Sequence, residues 1–171
     1  MSALRERAAA IKLLVLDVDG VLTDGRITYT EHGVEVKSFH VRDGSGLAFW
    51  QRLGGRVAIV SGRTSKTVEV RAAELGIALV IQGAREKRPA LERVLAETGL
   101  RATDACAVGD DLPDLPLMRA CGLAVAVADA CPDVRAAAQY VTQAAGGHGA
   151  VREVVELLLR TQGRWNELVG N

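Results

Sequence analysis

The chain has 171 residues, of which 49% are hydrophobic and 25% charged, enough to bury a sizeable core and consistent with one domain over 1–171. Lys plus Arg equals Asp plus Glu at 21 each, so no basic excess favours nucleic acid or an anionic membrane surface, and any anionic ligand must be bound by local arrangement. No run approaches the ~18 uninterrupted apolar residues of a membrane span, and the short apolar stretch near the start runs into Asp17 and Asp19, unlike an export signal; the expectation is a soluble, cytoplasmic protein.

In chain order, five short apolar runs have the length of buried strands: LLVLD (13–17), VAIVS (57–61), ALVIQ (78–82), ACAVG (105–109) and LAVAV (123–127). Helical segments alternate with them. Over 65–75, Val68, Ala72 and Leu75 recur at helical spacing and stop at Gly76. Over 89–98, Leu91, Val94 and Leu95 repeat the pattern before Gly99. A last helix over 149–160 carries Val151, Val154, Val155, Leu158 and Leu159 on one stripe. Such alternation predicts an α/β fold: a Rossmann-like parallel sheet with helices on both faces.

One segment interrupts the pattern. RITYTEHGVEVKSF (26–39) places β-branched and aromatic residues on both sides of Glu31-His32-Gly33, which predicts a β-hairpin projecting just after the first strand. A bare two-stranded hairpin is marginal in water, so pairing with another subunit in a closed oligomer is expected.

LLVLDVDGVLTDG puts three carboxylates, Asp17, Asp19 and Asp24, behind an apolar run, which makes sense where a positive group arrives. Cys106, Cys121 and Cys131 lack metal-type spacing, and His32, His40 and His148 are scattered. A metal would therefore be held by carboxylates, which favours a hard ion such as Mg²⁺. In open α/β sheets, ligands sit beyond the carboxyl ends of the strands. The residues there are Asp17 and Asp19; Ser61, Gly62 and Arg63; Lys87, after a short loop; and Asp110 and Asp111.

Asp17 and Asp19, two apart, would share a direction in extended backbone. Neighbouring carboxylates have their pKa values pushed apart, so one can act as nucleophile and the other as acid. Asp110 and Asp111 would supply further oxygens for Mg²⁺, with Asp114 orienting them. Ser61 and Lys87 suit a phosphoryl group, whose oxygens need donors and positive charge. Arg71, at helical spacing between Val68 and Leu75, is either a stem-packed surface residue or an anion contact beside Arg63.

DVDGVLTDG, IVSGR, GAREK and VGDDLPDLPLM, in that order, resemble the four motifs of the haloacid dehalogenase superfamily of phosphatases. The resemblance implies a phosphomonoester hydrolase in which Asp17 is the nucleophile and forms an aspartyl phosphate. It makes Asp19 the acid and then the base. It also implies Mg²⁺ held by the Asp17 and Asp110 side chains and the Asp19 backbone carbonyl, phosphoryl binding by Ser61 and Lys87, and support from Asp111 and Asp114. No large insertion separates these motifs, so the protein is expected to be capless.

A narrower resemblance, carried by the hairpin, HVRDGSG, SGR, VEVRAAELGI and GGHGAVREVVELLL, is to the 3-deoxy-D-manno-octulosonate 8-phosphate phosphatase family of lipopolysaccharide precursor synthesis. It implies substrate contacts at His40, Val41, Arg42, Asp43, Gly44, Arg63, Arg71 and Lys87. It also implies a homotetramer whose hairpins cap neighbouring sites, and a C-terminal tail over 161–171 that folds towards an adjacent site. Similar phosphatases for nine-carbon acids, such as 2-keto-3-deoxynononate 9-phosphate, tend to have Glu where Arg63 stands, which favours the eight-carbon sugar phosphate. Ala48 replaces an Arg common in the family, and His40 stands where Asn is frequent. Rivals from another class are a phospho-acceptor receiver, which places its acceptor Asp after a middle strand with the acid pair earlier, whereas DVDG here ends the first strand, and a non-catalytic interaction module.

Overall fold

A computed structural model, described for residues 3–170, contains a six-stranded sheet in the order β5-β4-β1-β6-β7-β8, parallel throughout. The strands are β1 (Leu13–Leu16), β4 (Arg56–Val60), β5 (Leu79–Ile81), β6 (Ala105–Gly109), β7 (Leu123–Ala126) and β8 (Tyr140–Val141). Leu13, Leu14, Val15 and Leu16 are all fully buried. β1 lies between β4 and β6 with helices over both faces, so its side chains have no solvent face and the run shows no polar alternation.

Helices α1 (Ala3–Ala10), α2 (Val41–Arg52) and α7 (Ala150–Thr161) pack together over one face. Helices α4 (Lys87–Thr98), α5 (Leu115–Ala120) and α6 (Pro132–Ala137) cover the other, and α3 (Lys66–Glu74) lies beside α2. The α7 stripe of Val151, Val154, Val155, Leu158 and Leu159 is buried, as its spacing predicts. Gly99 closes α4 in the left-handed conformation, at φ 69°.

The chain leaves β1 towards β4 and β5, then returns to the opposite side of β1 for β6, β7 and β8. The carboxyl ends of β1, β4 and β6 therefore flank a topological switch point, where a crevice opens. The hairpin forms an antiparallel pair, β2 (Thr28–Tyr29) with β3 (Glu35–Val36), registered Thr28 to Val36 and Tyr29 to Glu35. Its turn closes with the Thr30 N–H donating to the Val34 carbonyl at 2.9 Å, and Gly33 sits at φ 74°.

Two elements absent from the sequence expectations are the strand at Tyr140–Val141 and a helix over 41–52. The strand at Tyr140–Val141 is two residues long, too short to register as an apolar run. Residues 41–52, of which 41–44 are expected at the substrate, form the helix α2, its N-terminus capped by the His40 side chain accepting from the Arg42 N–H at 3.3 Å. The tail, as far as Gly170, packs on its own chain: the Trp165 ring lies 4.5 Å from the Arg160 guanidinium, and the Gln162 amide donates to the Ala8 and Ile11 carbonyls at 3.2 and 2.9 Å. This end of α7 lies by the start of β1, opposite the crevice; Asn171 lies outside the described residues.

Candidate active site

Strand β1 stops at Leu16, and the N–H groups of Val21, Leu22 and Thr23 all donate to the Val18 carbonyl at 2.9–3.2 Å. The backbone has thus turned by Asp19. Asp17 and Asp19 therefore reach the same cleft through this turn. Gly20 makes it possible: its φ is 90°, and a Cβ there would overlap the Asp110 carboxylate.

A cleft of about 180 Å³ collects Asp17, Asp19, Ser61, Gly62, Arg63, Lys87, Asp110, Asp111 and Asp114. Lys87, the first residue of α4, is buried; its Nζ lies 2.9 Å from Asp17 Oδ1 and donates to Asp114 Oδ1 at 2.5 Å. The other Asp114 oxygen accepts from the backbone N–H groups of Asp110 and Asp111 at 3.0 and 3.3 Å. Asp114 therefore shapes the loop after β6 and orients Lys87. Ser61 is buried where β4 ends, its hydroxyl accepting from the Arg63 N–H at 3.3 Å.

Carboxylate oxygens of Asp17, Asp110 and Asp114 lie within 4.8 Å of one another. Asp110 Oδ1 is buried with no hydrogen-bond partner, a costly state for a carboxylate oxygen. Burial, with Asp114 and then Asp17 nearby, pushes the Asp110 carboxyl up to about 7. Burial and Asp114 push Asp17 up to about 6 against the opposing pull of Lys87. Burial tends to lower the Lys87 ammonium, but Asp17 and Asp114 outweigh it and hold it above its ordinary value. Apart from the exposed Asp111, five carboxylates (Asp17, Asp19, Glu35, Asp110, Asp114) face three cations (Lys37, Arg63, Lys87), leaving two negative charges when all are ionised. One divalent cation carries the matching charge, and the oxygen-only donor set fits a hard ion.

The remaining predicted substrate residues lie outside this cleft within the chain. Asp43 is buried and accepts from the N–H groups of Gly149 and Arg152 at 3.2 and 2.7 Å, tying the start of α2 to the start of α7. Its carboxyl is raised by burial against those hydrogen bonds. Gly44 is buried under Arg71, whose guanidinium would overlap a Cβ there. Arg71 lies 5.7 Å from the Phe39 ring, pairs with Glu74 at 3.2 Å, and with Val41 lines a separate hollow of about 320 Å³. Val41 and Arg42 are exposed, as is Ala48.

Glycines 146 and 147 have a structural part to play. The Gly147 N–H donates to the Val21 carbonyl at 2.9 Å, and a Cβ on Gly146 would overlap the Gly20 carbonyl. GGHG thus braces the turn that carries Asp19. Sequence reasoning missed two residues outright: Glu35 and Lys37, on the returning hairpin strand, reach Arg63 and Asp19. Their alternation with Val34 and Val36 was the available signal.

Residues 79–154 match the haloacid dehalogenase-like hydrolase family. The 3-deoxy-D-manno-octulosonate 8-phosphate phosphatase of Escherichia coli K12 is 48% identical over 164 residues, covering 96% of this chain and 87% of that protein. The chain belongs to this family of phosphatases. A crystal structure of the Moraxella catarrhalis family member, in complex with magnesium, phosphate and 3-deoxy-D-manno-octulosonate, superposes with a TM-score of 0.96 at 41% identity over 99% of this chain and 97% of that one. The family member from Yersinia pestis gives 0.94 at 44% identity, over 95% and 88% of the two chains.

Proposed function

We propose that the protein is a Mg²⁺-dependent phosphatase that releases phosphate from 3-deoxy-D-manno-octulosonate 8-phosphate through an aspartyl phosphate on Asp17. The observation that carries this is the convergence of Asp17, Lys87, Asp110 and Asp114, with the unpartnered Asp110 oxygen, in a chain 48% identical to a phosphatase of that name. Asp17 and Asp110 would hold the ion through their side chains, and Asp19 through its backbone carbonyl. When bound, the ion supplies positive charge that lets an anionic ester approach an anionic nucleophile.

The chain's own groups account for the rest. An Asp17 oxygen attacks phosphorus and the bond from phosphorus to the sugar oxygen breaks. Asp19 gives its proton to that departing oxygen. Water then attacks phosphorus, Asp19 takes its proton, and the bond to Asp17 breaks to restore the carboxylate. Lys87 holds Asp17 in line and, with Ser61 and the backbone at Gly62, offers donors to the phosphoryl oxygens. Arg63 Nη1 is buried without a hydrogen-bond partner, a donor available to an oxygen of the sugar acid. His40, Arg42 and Arg71 would meet substrate only where a neighbouring subunit joins the hollow beside α2 to the cleft.

The same proposal covers assembly and location. Ile27, Tyr29, Val34 and Val36 are 56, 58, 61 and 43% exposed on the hairpin, an apolar surface suited to a second copy in a homotetramer whose hairpins cap neighbouring sites. A single domain over 1–171 in the cytoplasm, where its three free thiols stay reduced, completes the reading.

Competition of the eight-carbon ester against 2-keto-3-deoxynononate 9-phosphate tests the substrate. The expected result is a kcat/KM ratio of about tenfold or more for the eight-carbon ester, the lower end of what one extra carbon costs in a shaped pocket. A ratio favouring the nine-carbon ester would reassign the substrate, and no Mg²⁺-dependent hydrolysis of either would remove the phosphatase reading.

A further inference from the structure

Strand β3 is inverted relative to an ordinary surface strand. Val34 and Val36 are exposed, whereas the alternate positions turn inward: the Lys37 side chain is 1% exposed and that of Glu35 is 16%. Burying an ammonium group costs several kcal/mol unless it is well paired. Lys37 Nζ makes a close ion pair with Asp19 Oδ1 and lies 3.5 Å from Glu35 Oε1. Glu35 Oε1 accepts from Arg63 Nη2 at 2.5 Å, and Oε2 accepts from the Ser65 hydroxyl at 2.5 Å. Arg63 Nη1 stands 3.9 Å from Asp19 Oδ2 and closes a ring of two carboxylates and two cations.

The two reacting carboxylates are paired with different lysines. Asp17 is held from one side by Lys87, which is also committed to Asp114. Asp19 is held from the other by Lys37, through Oδ1 only. The contact of Oδ2 with Arg63 is too long for a hydrogen bond, so that oxygen stays open for proton exchange. With Lys37 removed, Asp19 would keep only the long contact with Arg63, and its carboxylate could swing towards Lys87 and the metal position.

We propose that Lys37 is a positioning residue that holds the Asp19 carboxylate at the mouth of the cleft, with Glu35 securing Arg63 in the same ring, so that each hairpin completes the site of its own chain. This rests on the phosphatase reading above. A positioned general acid is worth about 10²–10⁴ in rate where the departing oxygen needs a proton and little where it leaves as a stable anion. The two ester types therefore separate positioning of Asp19 from general damage.

The test compares wild type, Lys37→Met and Lys37→Arg on the sugar acid phosphate and on p-nitrophenyl phosphate, at saturating Mg²⁺. Lys37→Met is expected to lower kcat/KM for the sugar ester about 100-fold, while kcat/KM for the nitrophenyl ester falls less than about fivefold, because hydrolysis of the shared aspartyl phosphate enters kcat and not kcat/KM; Lys37→Arg recovers most of the loss. Equal losses of kcat/KM on both esters, or no loss on either, overturn the proposal while the phosphatase reading stands. A wild-type protein that hydrolyses neither ester removes that reading itself. If Lys37→Met does not fold, as judged by circular dichroism, Lys37→Gln serves the same comparison.

Discussion

Asp110 is the residue whose environment says most about what the site needs. One of its oxygens is buried and unpaired, Gly20 leaves room for the carboxylate, and Asp114 fixes the loop that carries it. The folded, metal-free chain keeps protons on Asp110 and Asp17 up to about 7 and about 6, whereas their ordinary value is 3.8. With both folded values raised, the folded state binds more protons than the unfolded one between these limits. Their contribution to stability is complete below the ordinary value and is lost as pH rises through about 6 and about 7. Thermal unfolding in EDTA should therefore show Tm falling as pH rises across that window. Saturating Mg²⁺ should flatten the dependence and release protons on binding, since the ion replaces them. A metal-free Tm that rises across the window, or a slope indifferent to Mg²⁺, would contradict this account of the acidic cluster.

The hairpin is the element where position and chemistry meet. Its outward side chains are apolar and its inward ones charged, so one strand can face a partner with Val34 and Val36 while holding Asp19 with Lys37. A Tyr29→Lys, Val34→Lys double variant puts charge on the outer face without touching the ring. Light scattering should show the assembly reduced to monomers, with hydrolysis of the sugar ester reduced at least about tenfold if hairpins close neighbouring sites. An undiminished monomer would remove the shared cap. Elements with continuous apolar runs were legible in sequence, because a strand covered on both faces carries no polar positions to blur it. Helix α2 was not: VRDGSGLAFWQR contains Gly44 and Gly46, which lower helix propensity, yet both are buried, where a Cβ would crowd the Arg71 and Arg152 side chains. The short β8 carries too few residues for any periodicity to show.

At the scale of the whole molecule, the balance of 21 cationic and 21 acidic residues conceals a strong local imbalance. The parallel sheet brings the ends of β1, β4 and β6 together, and the chain order of the acidic and cationic residues becomes one cleft. That convergence could be read from sequence because strand ends in such sheets share an edge. The tertiary role of Asp43 could not, since its partners Gly149 and Arg152 lie more than a hundred positions away. Nor could the ring at Lys37, which depends on the face that the hairpin turns towards Arg63. The central claim is that Asp17 becomes covalently bonded to phosphorus. Acid quenching of a reaction with ³²P-labelled sugar ester, followed by digestion with pepsin at acid pH, where an acyl phosphate survives, tests it directly. The label should be found on a peptide that contains Asp17 and be absent from Asp17→Asn. Label on another peptide, or full Mg²⁺-dependent hydrolysis by Asp17→Asn, would contradict it.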